Sequence, residues 1–139
     1  MSISLFPHNQ TAYESLLTVL ETEKRACIIH PTGAGKSFIG FKYCEEHPMQ
    51  AVLWLSPSAY IFKTQCGSLL AAGAEVPENI LYMTYARLSQ LDPAELNELH
   101  PDVIILDEMH RAAAPIWEQP VQALLAREPK PTAIGLTTA

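Results

Sequence analysis

Short apolar runs alternate along the chain with stretches in which apolar residues recur at helical spacing. The runs carry no alternating polar positions and lie at 26–29, 51–55, 80–83, 103–106 and 133–136. Strands of this kind are covered on both faces, as in a parallel sheet flanked by helices. The pattern therefore predicts an α/β fold, a three-layer sandwich with a mostly parallel central sheet and right-handed crossovers.

The helices between these strands are expected to begin and end at recognisable signals. The first starts at Thr11, which forms a capping box with Glu14. Pro120 must either kink the last helix, around 117–125, or lie in its first turn. In the third helix, Phe62, Cys66, Leu69 and Leu70 are expected to share one face. This third helix is predicted to run from Ser58 to about Gly73, and the remaining helices are predicted at 36–46, 86–90 and 93–99.

The composition fits one domain spanning residues 1–139. Apolar residues make up 48% of the chain, enough for a core, while the net charge of -6 counts against strong independent nucleic-acid binding. The three cysteines lack C-x-x-C spacing, so neither a disulfide nor a zinc site is expected, and Cys27 is predicted to be buried. The chain shows no signal-peptide pattern and no apolar run long enough for a membrane span, which favours a cytoplasmic location.

A candidate phosphate-binding loop follows the first predicted strand. Its residues are His30, Pro31, Thr32, Gly33, Ala34, Gly35, Lys36 and Ser37. The segment matches the last three fixed positions of the G-x-x-x-x-G-K-[ST] pattern, with a histidine in place of the first glycine. The glycines allow consecutive backbone amides to wrap a β-phosphate, and the helix beginning at Lys36 directs its positive end at the same anion.

Two side chains of this loop carry chemistry. Lys36 is expected to reach the β- and γ-phosphates, and the hydroxyl of Ser37 is expected to bind Mg²⁺. The alternative is a glycine-containing turn with an incidental lysine. Because the segment lies between a predicted strand and a predicted helix, the sequence favours a nucleotide-binding site.

An acidic motif, Asp107-Glu108-Met109-His110, directly follows the most apolar strand. Two carboxylates at the end of a buried strand are unfavourable unless cations lie nearby, and a magnesium–nucleotide complex provides them. Asp107 is expected to hold Mg²⁺ through water, and Glu108 to act as the general base for the attacking water. A solvated acidic turn is the alternative. The central expectation is that Lys36 and Asp107 converge at one edge of a shared sheet.

With both motifs in this order, the chain resembles the first RecA-like domain of superfamily 2 helicases of the DExH type. Residues 31–37 resemble motif I and residues 107–110 resemble motif II of that family. Among its members, the group that includes type III restriction subunits is the most similar. The resemblance implies a RecA-like P-loop NTPase fold, with ATP and Mg²⁺ as cofactors.

The resemblance also implies contacts outside these two motifs. Gln10 lies in a segment similar to the one in which a glutamine reads the adenine edge. Pro57 and Ser58 resemble motif Ia, and Thr84 and Tyr85 resemble motif Ib, whose loops touch the sugar-phosphate backbone of DNA or RNA. Ordinary strand exits are the alternative for these four residues.

The end of the chain resembles the start of motif III, whose hydroxyls bond the motif II histidine. His110 would then pair with Thr137 or Thr138 and link the ATP state to the grip on nucleic acid. The family order is Thr-Ala-Thr and this chain has Thr-Thr-Ala, so the sequence leaves open which threonine forms the pair.

Motors of this family also use a second RecA-like domain, which supplies an arginine finger. We therefore expect this chain to be part of a longer two-domain motor and to hydrolyse ATP poorly alone. A double-strand DNA translocase subunit of a restriction or remodelling enzyme is one alternative to a helicase. A stand-alone P-loop NTPase or kinase, and a nucleotide-binding module that has lost hydrolysis, are two more.

Overall fold

The computed structural model describes most of the chain, namely residues 3, 5, 7–30, 35–108, 115–127 and 130–138. Within this part, helices and strands alternate. In chain order they are α1 (Pro7–Leu20), β1 (Arg25–His30), α2 (Lys36–Glu46), β2 (Val52–Ser56), α3 (Ala59–Ala71), β3 (Ile80–Thr84), α4 (Tyr85–Ser89), α5 (Pro93–Glu98), β4 (Val103–Asp107), α6 (Pro115–Leu125) and β5 (Thr132–Thr138).

The five strands form one sheet in the order β1-β5-β4-β2-β3, and every neighbouring pair is parallel. All strands therefore end at the same edge of the sheet. At that edge Asp107 pairs with Leu136, and Ser56 pairs with Thr84. The predicted α/β class with a parallel central sheet is confirmed.

Two apolar clusters lie on opposite faces of the sheet, because successive side chains of a strand point to opposite sides. In β2, Val52 and Trp54 belong to the cluster formed with α1, α2 and α3. Leu53 and Leu55 belong to the cluster formed with α4 and α6. Since both β2 and β4 are buried along their whole length, the molecule has the three layers that their uninterrupted apolar runs predict.

Helix α1 begins earlier than the sequence signal indicated. It starts at Pro7, and the hydroxyl of Thr11 donates to the carbonyl of Pro7 rather than capping the helix. The predicted capping box with Glu14 is therefore wrong. Proline suits the first helical turn because it has no amide hydrogen to leave unpaired, and this preference outweighs the capping pattern.

The prediction that Cys27 is buried is also wrong. β1 lies at the edge of the sheet, where Cys27 is exposed and Ile29 is 65% exposed. An apolar run indicates a strand but not its place in the sheet. Leu70 is likewise exposed, because it lies outside the face of α3 that buries Leu69.

Pro120 lies inside α6, which begins at Pro115, so it does not fall at the start of the helix. A proline at this point cannot donate to the preceding helical turn. Among the described residues, no helix has both the length and the apolar character needed to cross a bilayer.

Two helical glycines allow a matched test of the packing between α2 and the sheet. A Cβ atom at Gly40 would lie 2.8 Å from Cη2 of Trp54, a fully buried ring stacked on Phe41. A Cβ atom at Gly67 in α3 would meet nothing within 4 Å. We expect Gly40→Ala to lower the free energy of unfolding by about 1–3 kcal/mol through overpacking. Gly67→Ala should raise it by up to about 1 kcal/mol through helix propensity.

Urea unfolding of both variants measures the difference. Equal stabilities for the two variants would contradict the close packing of α2 against Trp54.

Candidate functional site

Lys36 and Asp107 converge at the carboxyl edge of the sheet. Lys36 is the first residue of α2 and Asp107 is the last residue of β4, and Nζ of the lysine lies 3.9 Å from Oδ1 of the aspartate. The same Nζ also bonds Oε1 of Glu108. Lys36 is 2% exposed and Asp107 is fully buried. The predicted convergence of these distant residues is confirmed.

Gly35 shapes the turn that leads into α2. Its φ of 102° is in the left-handed region, which favours glycine, and it leaves the start of α2 without a side-chain cap. A Cβ atom here would lie 2.2 Å from Nδ2 of Asn9, which is itself buried. The amide of Asn9 therefore lies directly against this turn.

No sequence pattern singles out Asn9, because only the true start of α1 shows which polar residue faces Gly35. The neighbouring Gln10, predicted to read adenine, is exposed, and its side-chain amide donates to Glu14 at 3.3 Å. The adenine role of Gln10 remains a prediction.

Replacing Gly35 by alanine is expected to destabilise the fold by about 1–3 kcal/mol, since both the left-handed backbone and the contact with Asn9 oppose a side chain. Adding Asn9→Ala should relieve the contact but not the backbone strain, so the double variant should recover only part of the loss. Thermal unfolding of the single and double variants tests this. Full recovery would show that the backbone conformation contributes nothing.

Asp107 is held by two side chains from other elements. Nε2 of Gln65, on α3, donates to Oδ2 at 2.8 Å, and the hydroxyl of Tyr85 donates to the main-chain carbonyl at 2.9 Å. Burial raises the pKa of Asp107, while the bond from Gln65 and the charge of Lys36 act in the opposite direction. Oδ1 is buried and has no hydrogen-bond partner among the described residues.

These residues fit a hydrated magnesium ion bound together with a phosphate ligand. Oδ1 of Asp107 is an oxygen acceptor in need of a donor or a cation. Ser37, the residue that follows Lys36, is also buried. Mg²⁺ favours oxygen ligands and keeps several waters. No group of three or more His, Cys, Asp or Glu side chains arranged for a metal occurs in the described part of the chain. At such a site water and phosphate would complete the coordination of the ion.

Glu108 adopts a backbone conformation that is uncommon for residues other than glycine, with a φ of 52°. Its side chain is 19% exposed, in contrast to that of Asp107. The turn directs two adjacent carboxylates differently, one into the sheet edge and one towards Lys36 and solvent. Such a division suits one metal-holding and one proton-accepting carboxylate.

The predicted nucleic-acid residues lie on two adjacent turns. Ser58 accepts from the amide of Ile61 and caps α3, while Thr84 accepts from the amide of Arg87 and caps α4. Pro57 is half-buried beside Ser58. The hydroxyl of Tyr82 donates to the carbonyl of Ser58 at 2.6 Å and ties the two turns together.

Tyr85 is placed differently from the other predicted nucleic-acid residues. It is fully buried in the cluster with α4 and α6, so its side chain does not face a surface that a strand could touch. That expectation is therefore corrected, because the ring packs in the core and its hydroxyl braces Asp107. A Thr-Tyr pair at a strand exit does not reveal which of its side chains turns inward.

Several predicted positions lie outside the described residues, namely Pro31, Thr32, Gly33, Ala34 and His110, together with the side chain of Thr138. Thr137 is half-buried near the end of β5, and the backbone of Thr138 pairs with that of His30 in β1. The pairing of His110 with a threonine remains a prediction.

Comparison with known families covers the part of this site formed by Lys36 and Ser37, and the matched segment ends before Asp107. The family model described as the type III restriction enzyme res subunit matches residues 2–63, a segment that includes Lys36 and Ser37. That family has the helicase-type RecA-like domain of superfamily 2. A search of curated proteins finds no match.

Proposed function

We propose that the chain is the ATP-binding motor domain of a DExH helicase, with the helicase-type RecA-like fold of superfamily 2 whose family model matches residues 2–63. In the intact motor it would couple ATP hydrolysis to unwinding or translocation along nucleic acid. The observation that supports this most strongly is the meeting of Lys36, Asp107 and Glu108 at one edge of the parallel sheet. Ligands of such sheets bind beyond the carboxyl ends of the strands.

Lys36 has two alternative partners in this mechanism. In the structure its ammonium group pairs with Glu108 and lies near Asp107. Phosphate oxygens carry more negative charge than one carboxylate, so the ammonium group is expected to transfer to them when ATP binds. Glu108 then no longer pairs with this ammonium group and can accept a proton from water. The general base is thus released only when the substrate is present.

Asp107 and Ser37 are the residues that would hold Mg²⁺. When bound, the ion supplies positive charge that stabilises the phosphoryl oxygens. Asp107 offers its buried Oδ1, while Oδ2 remains bonded to Gln65. Tyr85 keeps the end of β4 in place through the main-chain carbonyl.

The nucleic-acid contact is proposed for the turns at Pro57, Ser58 and Thr84. Lys63 and Arg87 are exposed on the helices that follow these turns and can approach phosphates. Such contacts need only hydroxyls, amides and a few basic side chains, which is compatible with a net charge of -6. The arginine finger and further strand contacts are proposed for a second RecA-like domain.

Titration calorimetry of the wild-type chain tests the nucleotide site. We expect ATP to bind more tightly with Mg²⁺ than with EDTA, since Asp107 and Ser37 contribute only through the ion. Inorganic tripolyphosphate with Mg²⁺ is the control for phosphate binding alone. Absence of ATP binding in both buffers would overturn the proposed function.

A further inference from the structure

Gln65 makes a long-range contact with the carboxylate proposed to hold magnesium. It lies on α3, and its side chain crosses to the end of β4, where Nε2 donates to Oδ2 of Asp107 at 2.8 Å. An ionised carboxylate can only accept hydrogen bonds, so the NH₂ end of the amide must face it. The orientation of the Gln65 side chain is therefore fixed by chemistry as well as by position.

This orientation leaves two buried acceptors close together. Oε1 of Gln65 and Oδ1 of Asp107 are both buried without a hydrogen-bond partner among the described residues. The two atoms belong to one hydrogen-bonded pair of side chains. Buried acceptors without partners are rare and unfavourable, so two in one pair indicate that donors from a ligand complete them.

Helix α3 holds Gln65 in place for this contact. The cap at Ser58 fixes the start of the helix, and the carbonyl of Ser58 accepts from the hydroxyls of Tyr82 and Ser56. Leu69, one turn beyond Gln65, is fully buried against the sheet. The side-chain amide of Gln65 therefore extends from a helix that is held before it by the Ser58 cap and after it by the buried Leu69.

We propose that Gln65 is a positioning residue for magnesium binding. Its NH₂ group holds Oδ2 of Asp107 so that Oδ1 faces the ion, and its Oε1 accepts a hydrogen bond from a water on that ion. Coordinated waters are the donors that both acceptors lack, because Mg²⁺ dehydrates reluctantly and keeps several of them. The inference rests on the proposed function, in that it presupposes a magnesium–nucleotide ligand.

Gln65→Met removes both polar ends of the amide at nearly constant length. In wild type, Mg²⁺ is expected to raise the affinity for fluorescent N-methylanthraniloyl-ATP. In Gln65→Met we expect this magnesium-dependent gain to be about tenfold smaller, at the lower end of the range of effects seen when a group that orients a metal ligand is lost. Affinity in EDTA should stay within about twofold of wild type, because the amide does not touch the nucleotide. Gln65→His, which keeps a donor and an acceptor nitrogen at similar reach, should restore most of the gain.

Thr64→Ala is the matched control, since Thr64 is exposed on the same helix and its hydroxyl donates to the carbonyl of Tyr60 one turn earlier. Equal losses with Mg²⁺ and with EDTA in Gln65→Met would indicate a purely structural role and overturn the inference. A wild-type chain that binds no ATP in either buffer would instead overturn the proposed function, whatever the variants do.

A measurement on the wild type covers the case in which Gln65→Met does not fold. In a ¹⁵N spectrum of the ATP-bound protein in EDTA, replacing EDTA with excess Mg²⁺ should shift the side-chain amide signals of Gln65. The side-chain amide of Gln122, exposed on α6, should not move. Unchanged Gln65 signals in a protein saturated with Mg²⁺ and ATP would contradict the proposal.

Discussion

Lys36→Ala is expected to weaken ATP binding by about a hundredfold and also to destabilise the nucleotide-free protein. Charge-assisted hydrogen bonds contribute about 1.5–3 kcal/mol each, so losing one or two to phosphate oxygens corresponds to roughly ten- to several-hundredfold in affinity. In the free protein the same substitution leaves Asp107 fully buried without its nearest cation. Breaking a buried ion pair by removing one partner costs about 3–5 kcal/mol.

The two effects of Lys36→Ala can be separated. Adding Asp107→Asn removes the unpaired charge, so the double variant should regain most of the lost stability while ATP binding remains weak. Urea unfolding and calorimetric titration of both variants provide the measurements.

Lys42→Ala is the control for the loss of a lysine from the same helix. Its ammonium group bonds the carbonyl of Ile3 at 2.8 Å and pairs with Glu45 and Glu46, away from the sheet edge. We expect at most about 1 kcal/mol of destabilisation from such partly exposed pairs and no change in ATP affinity. A Lys36→Ala protein as stable as wild type and with full ATP affinity would refute the assignment of this site.

The convergence of Lys36 and Asp107 could be predicted because it depends on periodicity and topology alone. Uninterrupted apolar runs such as Val103–Leu106 indicate parallel strands buried on both faces, and parallel strands present their carboxyl ends at one edge. Polar residues that follow two such strands must then lie near each other. No knowledge of side-chain packing is needed for this step.

The residues that brace the site could not be predicted in the same way. Asn9, Gln65 and Tyr85 act through side-chain orientation, which depends on where a helix begins and how it lies on the sheet. Asn9 and Gln10 both lie inside α1, and because adjacent helical residues point about 100° apart, Asn9 faces Gly35 while Gln10 is exposed. The apolar run of β1 does not indicate its place at the sheet edge, so the exposure of Cys27 could not be predicted from the sequence.

Asp107→Asn is expected to change stability and magnesium binding in opposite directions. Its carboxylate is fully buried, and burial raises its pKa, so folding disfavours the charged form relative to water. Asparagine is neutral at every pH, and its NH₂ group can donate to Oε1 of Gln65, which otherwise lacks a partner. Lys36 keeps its ion pair with Glu108 in this variant, so no buried charge is left without a partner. In EDTA at neutral pH we therefore expect the variant to be more stable than wild type by about 1–3 kcal/mol, the cost of an unsatisfied buried polar atom.

The pH dependence follows from the direction of the pKa shift. Between the unfolded-state pKa and the higher folded-state pKa, the native protein binds more protons than the unfolded chain. Wild-type stability therefore falls as pH rises through this window, and Asp107→Asn should lack this component. The stability difference between the two proteins should accordingly shrink as the pH is lowered towards about 4, near the reference pKa of an aspartate.

Magnesium supplies the second readout for Asp107→Asn. The variant should bind ATP almost equally with Mg²⁺ and with EDTA, because its amide presents no anionic oxygen to the ion. Asp102→Asn is the matched control: Asp102 is exposed just before the same strand, and its Oδ2 accepts from the amide of Ala51 at 2.8 Å, which asparagine can also do. A less stable Asp107→Asn protein that keeps its magnesium response would mean that this carboxylate serves the fold rather than the ligand. Greater stability with the response lost identifies Asp107 as a group kept at a cost to folding because binding requires it.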